Sequence, residues 1–193
     1  MGNRLQDKIA LISGAGSVGP GLGNGRAMAL LFAREGARIL AVDRNLDAAE
    51  ETCRRVREEG GVCEAHRADV SRGDDVAAMM KACVERFGRI DVLVNNVGIA
   101  EVGGPVELSE EAWDRMFDIN VKSMFLTCKH VLPLMEQQGG GAIVNISTLA
   151  SIRWSGVPYV AYSASKAAVN GLTRYVRCST RRKRSGSTRC CLA

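Results

Sequence analysis

"KIALISGAGSVGPGLGNGRAMALLFAREGA", residues 8–37, changes character twice. Residues 8–13 are a short apolar run of the kind a fully buried strand shows. Residues 25–37 have helical spacing, with Met28, Leu31 and Phe32 separating from Glu35 and Gly36 closing the helix. Between the two lie Gly14, Gly16, Gly19, Gly21, Gly23 and Gly25. A pair of phosphates needs backbone N–H groups at close range, which residues without a Cβ allow, and a helix N-terminus aimed at the charge. Gly14, Gly16 and Gly19 spell G-x-G-x-x-G literally, although a glycine-rich flexible loop spells it by chance. The context favours the phosphate reading. A strand precedes the loop, a helix follows, and Asp43 closes a second apolar run, "ARILAVD" at 37–43, where a carboxylate can accept hydrogen bonds from an adenosine ribose. That carboxylate repels a 2′-phosphate, so NAD is the expected dinucleotide. Arg44 follows directly and could pair with such a phosphate, which leaves NADP open.

Outward from this unit the alternation repeats. "IDVLVNN" at 90–96 and "GAIVNIS" at 141–147 are further buried strands, and "GVCEAHRAD" at 61–69 is a weaker one. Residues 46–59 and 74–87 are helical, the second placing Val76, Met79, Met80, Cys83, Val84 and Phe87 on one face. In "LSEEAWDRMF", Ser109 is an N-cap and Glu110 and Glu111 occupy the first turn, where the helix dipole favours them. Strand and helix in alternation predict an α/β fold: a doubly wound, Rossmann-like parallel sheet in a single domain.

At 193 residues the chain can bury a core without disulfides or metal. Seven cysteines in no zinc-like spacing predict reduced thiols, no metal site and a cytoplasmic location. No apolar run approaches bilayer length, so no membrane partner is expected. "MGNRLQDKIALIS" lacks a signal-peptide cleavage site, and Gln6 stands where a myristoylation motif needs Ser or Thr. The net charge of +5 is local. Residues 174–193 hold seven basic and no acidic side chains, and the rest carries 19 basic against 21 acidic.

With "NNVG" at 95–98 after one strand, "NISTLAS" at 145–151 after the next and "YSASK" at 162–166, the chain resembles the short-chain dehydrogenase/reductase family from Lys8 to about Val176. The resemblance implies a seven-stranded doubly wound sheet and hydride transfer between a nicotinamide cofactor and a secondary alcohol or ketone. It implies Tyr162 as general acid/base, and Lys166 as the group that binds the nicotinamide ribose and lowers the phenol's pKa. Asn120 would hold a water leading from Lys166 to solvent. Asp69 and Val70 would flank the adenine, and Asn96 and Gly98 would line the cleft. A phenol's ordinary pKa of about 10 is too high for a base at neutral pH, and an ammonium one helical turn away pulls it down. The family commonly forms dimers and tetramers, partly through surfaces beyond Val176.

The chain departs from the family at three places. If Gly23 and Gly25 end the glycine turn with Gly14 at its start, the loop carries about five extra residues. The family's catalytic hydroxyl falls on Thr148, with Ser147 just before it in reserve. After residue 176 the family's sixth strand, Pro-Gly turn and seventh strand are not visible. "RCSTRRKRSGSTRCCLA" stands there instead. Residues 1–176 are therefore expected to form an incomplete dinucleotide-binding domain, with 177–193 a basic tail lacking regular structure and β-strand 141–147 left as an open edge. Codons for Val176 to Ala193, read one base out of register, permit Ala-Leu-Gln-Tyr-Ala and then Val-Asn-Ala-Val-Leu-Pro-Gly, so a one-base shift near codon 176 is expected to have created the tail. "RRKR" without interleaved aromatics predicts no nucleic-acid partner, and "CCLA" fits a prenylation signal only formally. The alternative to an active oxidoreductase is a remnant that at most binds the dinucleotide.

Overall fold

The computed structural model of the chain describes residues 3–17, 19, 21–182 and 189–193. Six parallel strands form one sheet in the order β3-β2-β1-β4-β5-β6: β1 Ile9–Ser13, β2 Arg38–Asp43, β3 Val62–Arg67, β4 Val92–Asn95, β5 Ala142–Asn145 and β6 Arg189–Leu192. The helices are α1 Asn24–Arg34, α2 Leu46–Glu58, α3 Gly73–Phe87, α4 Glu110–Phe117, α5 Ser123–Gln137 and α6 Val160–Arg182.

Side-chain alternation along the strands splits the core in two. Ile9, Leu11, Leu40, Val42, Leu93 and Ile143 pack with Val76, Met79 and Cys83 of α3 and with Val131 and Met135 of α5. Ala10, Ile12, Ile39, Ala41, Val92 and Val94 face the other way, against Ala29 and Leu30 of α1 and Cys53 and Val56 of α2. Every residue of β1 and β4 is buried, as strands covered by helices on both faces must be. The doubly wound prediction holds.

The tail corrects two expectations. α6 does not stop near residue 176 but continues to Arg182, and residues 189–192 are a strand rather than unstructured chain. β6 pairs with β5 in the register Ala142↔Arg189 to Asn145↔Leu192, so β5 is not the sheet's open edge. The physical reason lies in the edge itself. An unpaired row of N–H and C=O groups on β5 offers any extended segment within reach a complete ladder, and "RCCL" takes it, Ser147 N–H donating to the Ala193 carbonyl oxygen at 2.7 Å just beyond. Part of "RRKR" lies outside the described residues.

Candidate active site

The strand order turns back between β1 and β4, and the loops leaving the C-terminal ends of the strands converge there. Such a crevice is where open α/β sheets take ligands. The sequence-predicted residues fall on these loops: Gly14 and Gly16 after β1, Asp43 at the end of β2, Asp69 and Val70 after β3, Asn96 and Gly98 after β4, Ser147 and Thr148 after β5.

The glycine turn resolves in favour of Gly14, Gly23 and Gly25. Gly23 is the N-cap of α1 and makes no side-chain cap bond, and no acidic residue sits in the first turn. A Cβ on Gly25 would lie 1.9 Å from the carbonyl oxygen of Gly14, so only glycine lets the helix close onto the turn. A Cβ on Gly19 or Gly21 would meet nothing within 4 Å. The literal G-x-G-x-x-G, ending at Gly19, is therefore not the close-packed turn. Asp43 braces this turn: one carboxylate oxygen accepts from Gly16 N–H at 2.9 Å and the other from Asn45 N–H at 3.0 Å. From across the switch point, Asn96 Nδ2 donates to the Gly14 carbonyl oxygen at 2.9 Å. Uncapped N–H groups at a helix start, beside backbone packed too closely for any Cβ, fit a pyrophosphate.

A second brace was missed from sequence. Arg26 is 2% exposed. Its Nε donates to Thr52 Oγ1 at 3.1 Å and its Nη1 to the Gly21 carbonyl oxygen at 3.0 Å, while Thr52 Oγ1 donates to the Ala15 carbonyl oxygen at 2.8 Å. The pair ties both arms of the loop to α2. An arginine following a glycine turn carries no signal of burial in the sequence.

On α6, Tyr162 and Lys166 are one turn apart, with the Lys166 ammonium 6.0 Å from the centre of the Tyr162 ring. Tyr159 packs edge-on against Tyr162, ring centres 5.5 Å apart. Lys166 is 3% exposed, and burial pulls its pKa down to about 8. Its Nζ donates to the Ile146 carbonyl oxygen at 2.8 Å. A Cβ on Gly98 would come within 3.1 Å of that Nζ and 3.4 Å of Asn120 Oδ1, so the bare glycine backbone leaves room for both. Asn120 lies in a π-helical turn, Asp118–Lys122, between α4 and α5. π-turns of this kind frequently mark functional positions. Its Oδ1 accepts from Ile99 N–H at 2.8 Å, and its Nδ2 donates to the Ile99 carbonyl oxygen at 2.9 Å and to Ser165 Oγ at 3.0 Å.

The two candidate hydroxyls separate. Ser147 Oγ donates to Asn170 Oδ1 at 2.6 Å and is thus spent on α6. Among the described residues, Thr148 Oγ1 has one long bond, accepting from Ala150 N–H at 3.4 Å. Asp69 and Val70 are less suited to side-chain contact with a ligand. Asp69 Oδ1 accepts from Ser71 N–H at 2.9 Å and Ser71 Oγ at 2.7 Å, bonds that hold its carboxyl below the ordinary range. Val70 is 5% exposed and belongs to the core under α3.

A family model described as short chain dehydrogenase matches residues 8–184. The chain belongs to this family. It is 42% identical over 175 residues to a 3beta-hydroxysteroid dehydrogenase of Mediterraneibacter gnavus, covering 90% of this chain and 60% of that protein. A cyclohexanol dehydrogenase of an Acinetobacter species is 36% identical over 176 residues, with coverages of 90% and 67%. The solved 7 alpha-hydroxysteroid dehydrogenase complexed with NADH and 7-oxo glycochenodeoxycholic acid superposes with a TM-score of 0.87 at 31% identity, covering 96% of this chain and 69% of that one. The chain spans about 60–67% of the length of these curated relatives. Family members bind NAD(H) or NADP(H). Among the described residues no helix is long and apolar enough to cross a membrane.

Proposed function

We propose that this chain carries the cofactor site and the proton-transfer residues of an oxidoreductase that moves a hydride between a nicotinamide dinucleotide and a secondary alcohol or ketone. The observation that carries the reading is the buried Lys166 ammonium one turn from Tyr162 and beside the Gly98 backbone. The bound nicotinamide supplies or accepts the hydride. Gly14, Gly16, Gly23 and Gly25 form the pyrophosphate seat: the start of α1 offers its N–H groups, the Gly16 N–H bonded to Asp43 and the Gly23 N–H bonded to Ser17 Oγ shape the turn, and Asn96 fixes it. Asp43 keeps acceptor capacity for ribose hydroxyls beyond its bonds to Gly16 and Asn45. Its negative charge opposes a 2′-phosphate, and NAD is the favoured cofactor for that reason. Asp69 and Val70 line the adenine end through their backbone.

Tyr162 exchanges the proton of the substrate oxygen. Lys166, charged, stabilises the negative charge that develops on the Tyr162 oxygen as the proton moves. Asn120 fixes the loop after β4 that faces Lys166. Thr148 donates to the substrate oxygen and orients it, the role Ser147 cannot fill while bonded to Asn170. Leu149, Ile152 and Trp154, all more than half exposed and following Thr148 closely in the chain, supply apolar surface suited to the hydrocarbon part of a secondary alcohol. The relatives named for hydroxysteroids and cyclohexanol agree with such a substrate class.

The test is direct. Titration with NADH and NADPH, followed by nicotinamide fluorescence, should give the tighter binding to NADH. Secondary alcohols, cyclohexanol first, should then be oxidised with NAD, and Tyr162→Phe should lower kcat by roughly 10²- to 10⁴-fold without weakening NADH. Undiminished turnover by Tyr162→Phe removes the reading. Binding without any turnover reduces it to a dinucleotide-binding protein.

A further inference from the structure

Asn170 lies two turns past Tyr162 and one past Lys166 on α6 and is 8% exposed. Its amide is bonded at both ends. Oδ1 accepts from Ser147 Oγ at 2.6 Å, and Nδ2 donates to Ser151 Oγ at 2.8 Å. Ser151 Oγ in turn donates to the Thr148 carbonyl oxygen at 2.6 Å. The donors and acceptors run in one consistent direction, from Ser147 through Asn170 and Ser151 to the Thr148 backbone. One amide therefore grips the residue before Thr148 and, through Ser151, Thr148 itself. Lys166 pins the preceding residue in the same way, through the Ile146 carbonyl. Successive turns of one helix thus hold successive residues of the segment leaving β5.

We infer that Asn170 is a positioning residue: it fixes the 147–151 turn so that the Thr148 hydroxyl faces the substrate oxygen at a set distance from Tyr162. The inference about the turn stands on geometry, and its consequence for catalysis rests on the functional reading above. The half-buried turn's own bonds are local, the Ser151 and Ile152 amides donating to the Thr148 and Leu149 carbonyls at 3.1 Å. The Asn170 amide is therefore what ties it to α6 on both sides of Thr148, and misplaced catalytic groups lose rate steeply. Asn170 touches no reacting atom, and Asn at this place is chemically specific. It must accept from one hydroxyl and donate to another, which neither Asp nor Leu does.

Two measurements decide it. Amide hydrogen exchange, read without any cofactor or substrate, reports the turn itself. In Asn170→Ala the Ala150, Ser151 and Ile152 amides should exchange at least tenfold faster than in the parent chain, while those of β5 stay protected. Ser151→Ala, a partly exposed position, should loosen the same amides by a smaller factor and guards against a misfolded Asn170 variant. Unchanged exchange in both variants overturns the inference, whatever the activity.

Turnover then reads the consequence. Asn170→Ala should lower kcat roughly 10- to 100-fold with the Kd for NADH within twofold of the parent. In a Thr148→Ala background the same change should cost almost nothing further, since residues acting through one hydroxyl are non-additive. A full multiplicative loss in that background assigns Asn170 a merely structural role. A parent chain that binds NADH without turnover defeats the functional reading and leaves the exchange result to judge the clamp.

Discussion

The Lys166 ammonium is 6.0 Å from the centre of the Tyr162 ring and spends one proton on the Ile146 carbonyl oxygen at 2.8 Å. Among the described residues it makes no ion pair with a carboxylate. Burial alone moves its pKa, down from 10.5 to about 8. The position costs stability, because a charge is kept where water is scarce.

The sign of the pH effect follows from that shift. With the folded-state pKa near 8 and the unfolded one near 10.5, the unfolded chain binds more protons between those values, so stability rises with pH across that window. Below about pH 8 the whole penalty applies, on the order of 3 kcal/mol. Lys166→Met should therefore gain thermal stability relative to the parent at about pH 7, and the gain should shrink steadily toward about pH 10. Thermal melts of both chains across that range check it. A difference in Tm that is flat with pH means that Lys166 is not buried as a cation. The variant should also lose measurable turnover.

A second prediction separates the glycines. Gly25→Ala pushes a methyl group into the Gly14 carbonyl, a backbone atom that cannot swing aside. It should destabilise the chain by roughly 3 kcal/mol or more and weaken NADH at least tenfold. Gly21→Ala has open space around its Cβ and should change stability by no more than about 0.5 kcal/mol. Chemical denaturation and NADH titration of the two variants side by side give the answer. Equal effects would return the loop to an undifferentiated glycine-rich segment.

The contrast also shows what a sequence can disclose. The strands were legible because each is a short apolar run bounded by punctuation, whereas Tyr162 and Lys166 came from the resemblance to the short-chain family, their spacing of four placing both on one helical face. Asn120, Asn96 and Asp43 were found as positions, but their actual bonds, to Ile99, Gly14 and Gly16, depend on loops that approach one another only in three dimensions. Arg26, Thr52 and Asn170 gave no signal for the same reason, each joining segments 19 to 37 residues apart in sequence. β6 was missed because "RCCL" reads as nothing by itself. A segment this short is a strand only by virtue of the edge it meets.

Thr52 supplies a third prediction. Thr52→Val keeps the shape but removes the acceptor for the buried Arg26 Nε–H and the donor to the Ala15 carbonyl. A buried donor left unpaired costs about 1–3 kcal/mol. Tm should fall by roughly 3–10 °C, and NADH should weaken several-fold because the loop loses one of its anchors. Thr52→Ser, which keeps the hydroxyl, should restore most of both. If Val and Ser behave alike, packing rather than hydrogen bonding holds the loop to α2.

The last prediction concerns the strand contributed by the basic tail. β6 completes the ladder on β5 through Arg189 N–H to the Gly141 carbonyl at 2.8 Å and Ala193 N–H to the Asn145 carbonyl at 3.1 Å, and Ala193 also receives Ser147 N–H. Deleting residues 189–193 strips these partners from an apolar strand that leads into the 147–151 turn. The loss of several ladder bonds is worth on the order of 2–4 kcal/mol, and the bared edge of "AIVN" becomes a template for association. The shortened chain should melt lower and should form higher-order species on size exclusion and light scattering at concentrations where the parent does not. Cys191→Pro, which keeps the length but removes the strand's central N–H, should reproduce the effect in part. Should both variants match the parent in Tm and in size, then residues 189–193 do not pair with β5 in solution, and another segment or a second chain must cover that edge.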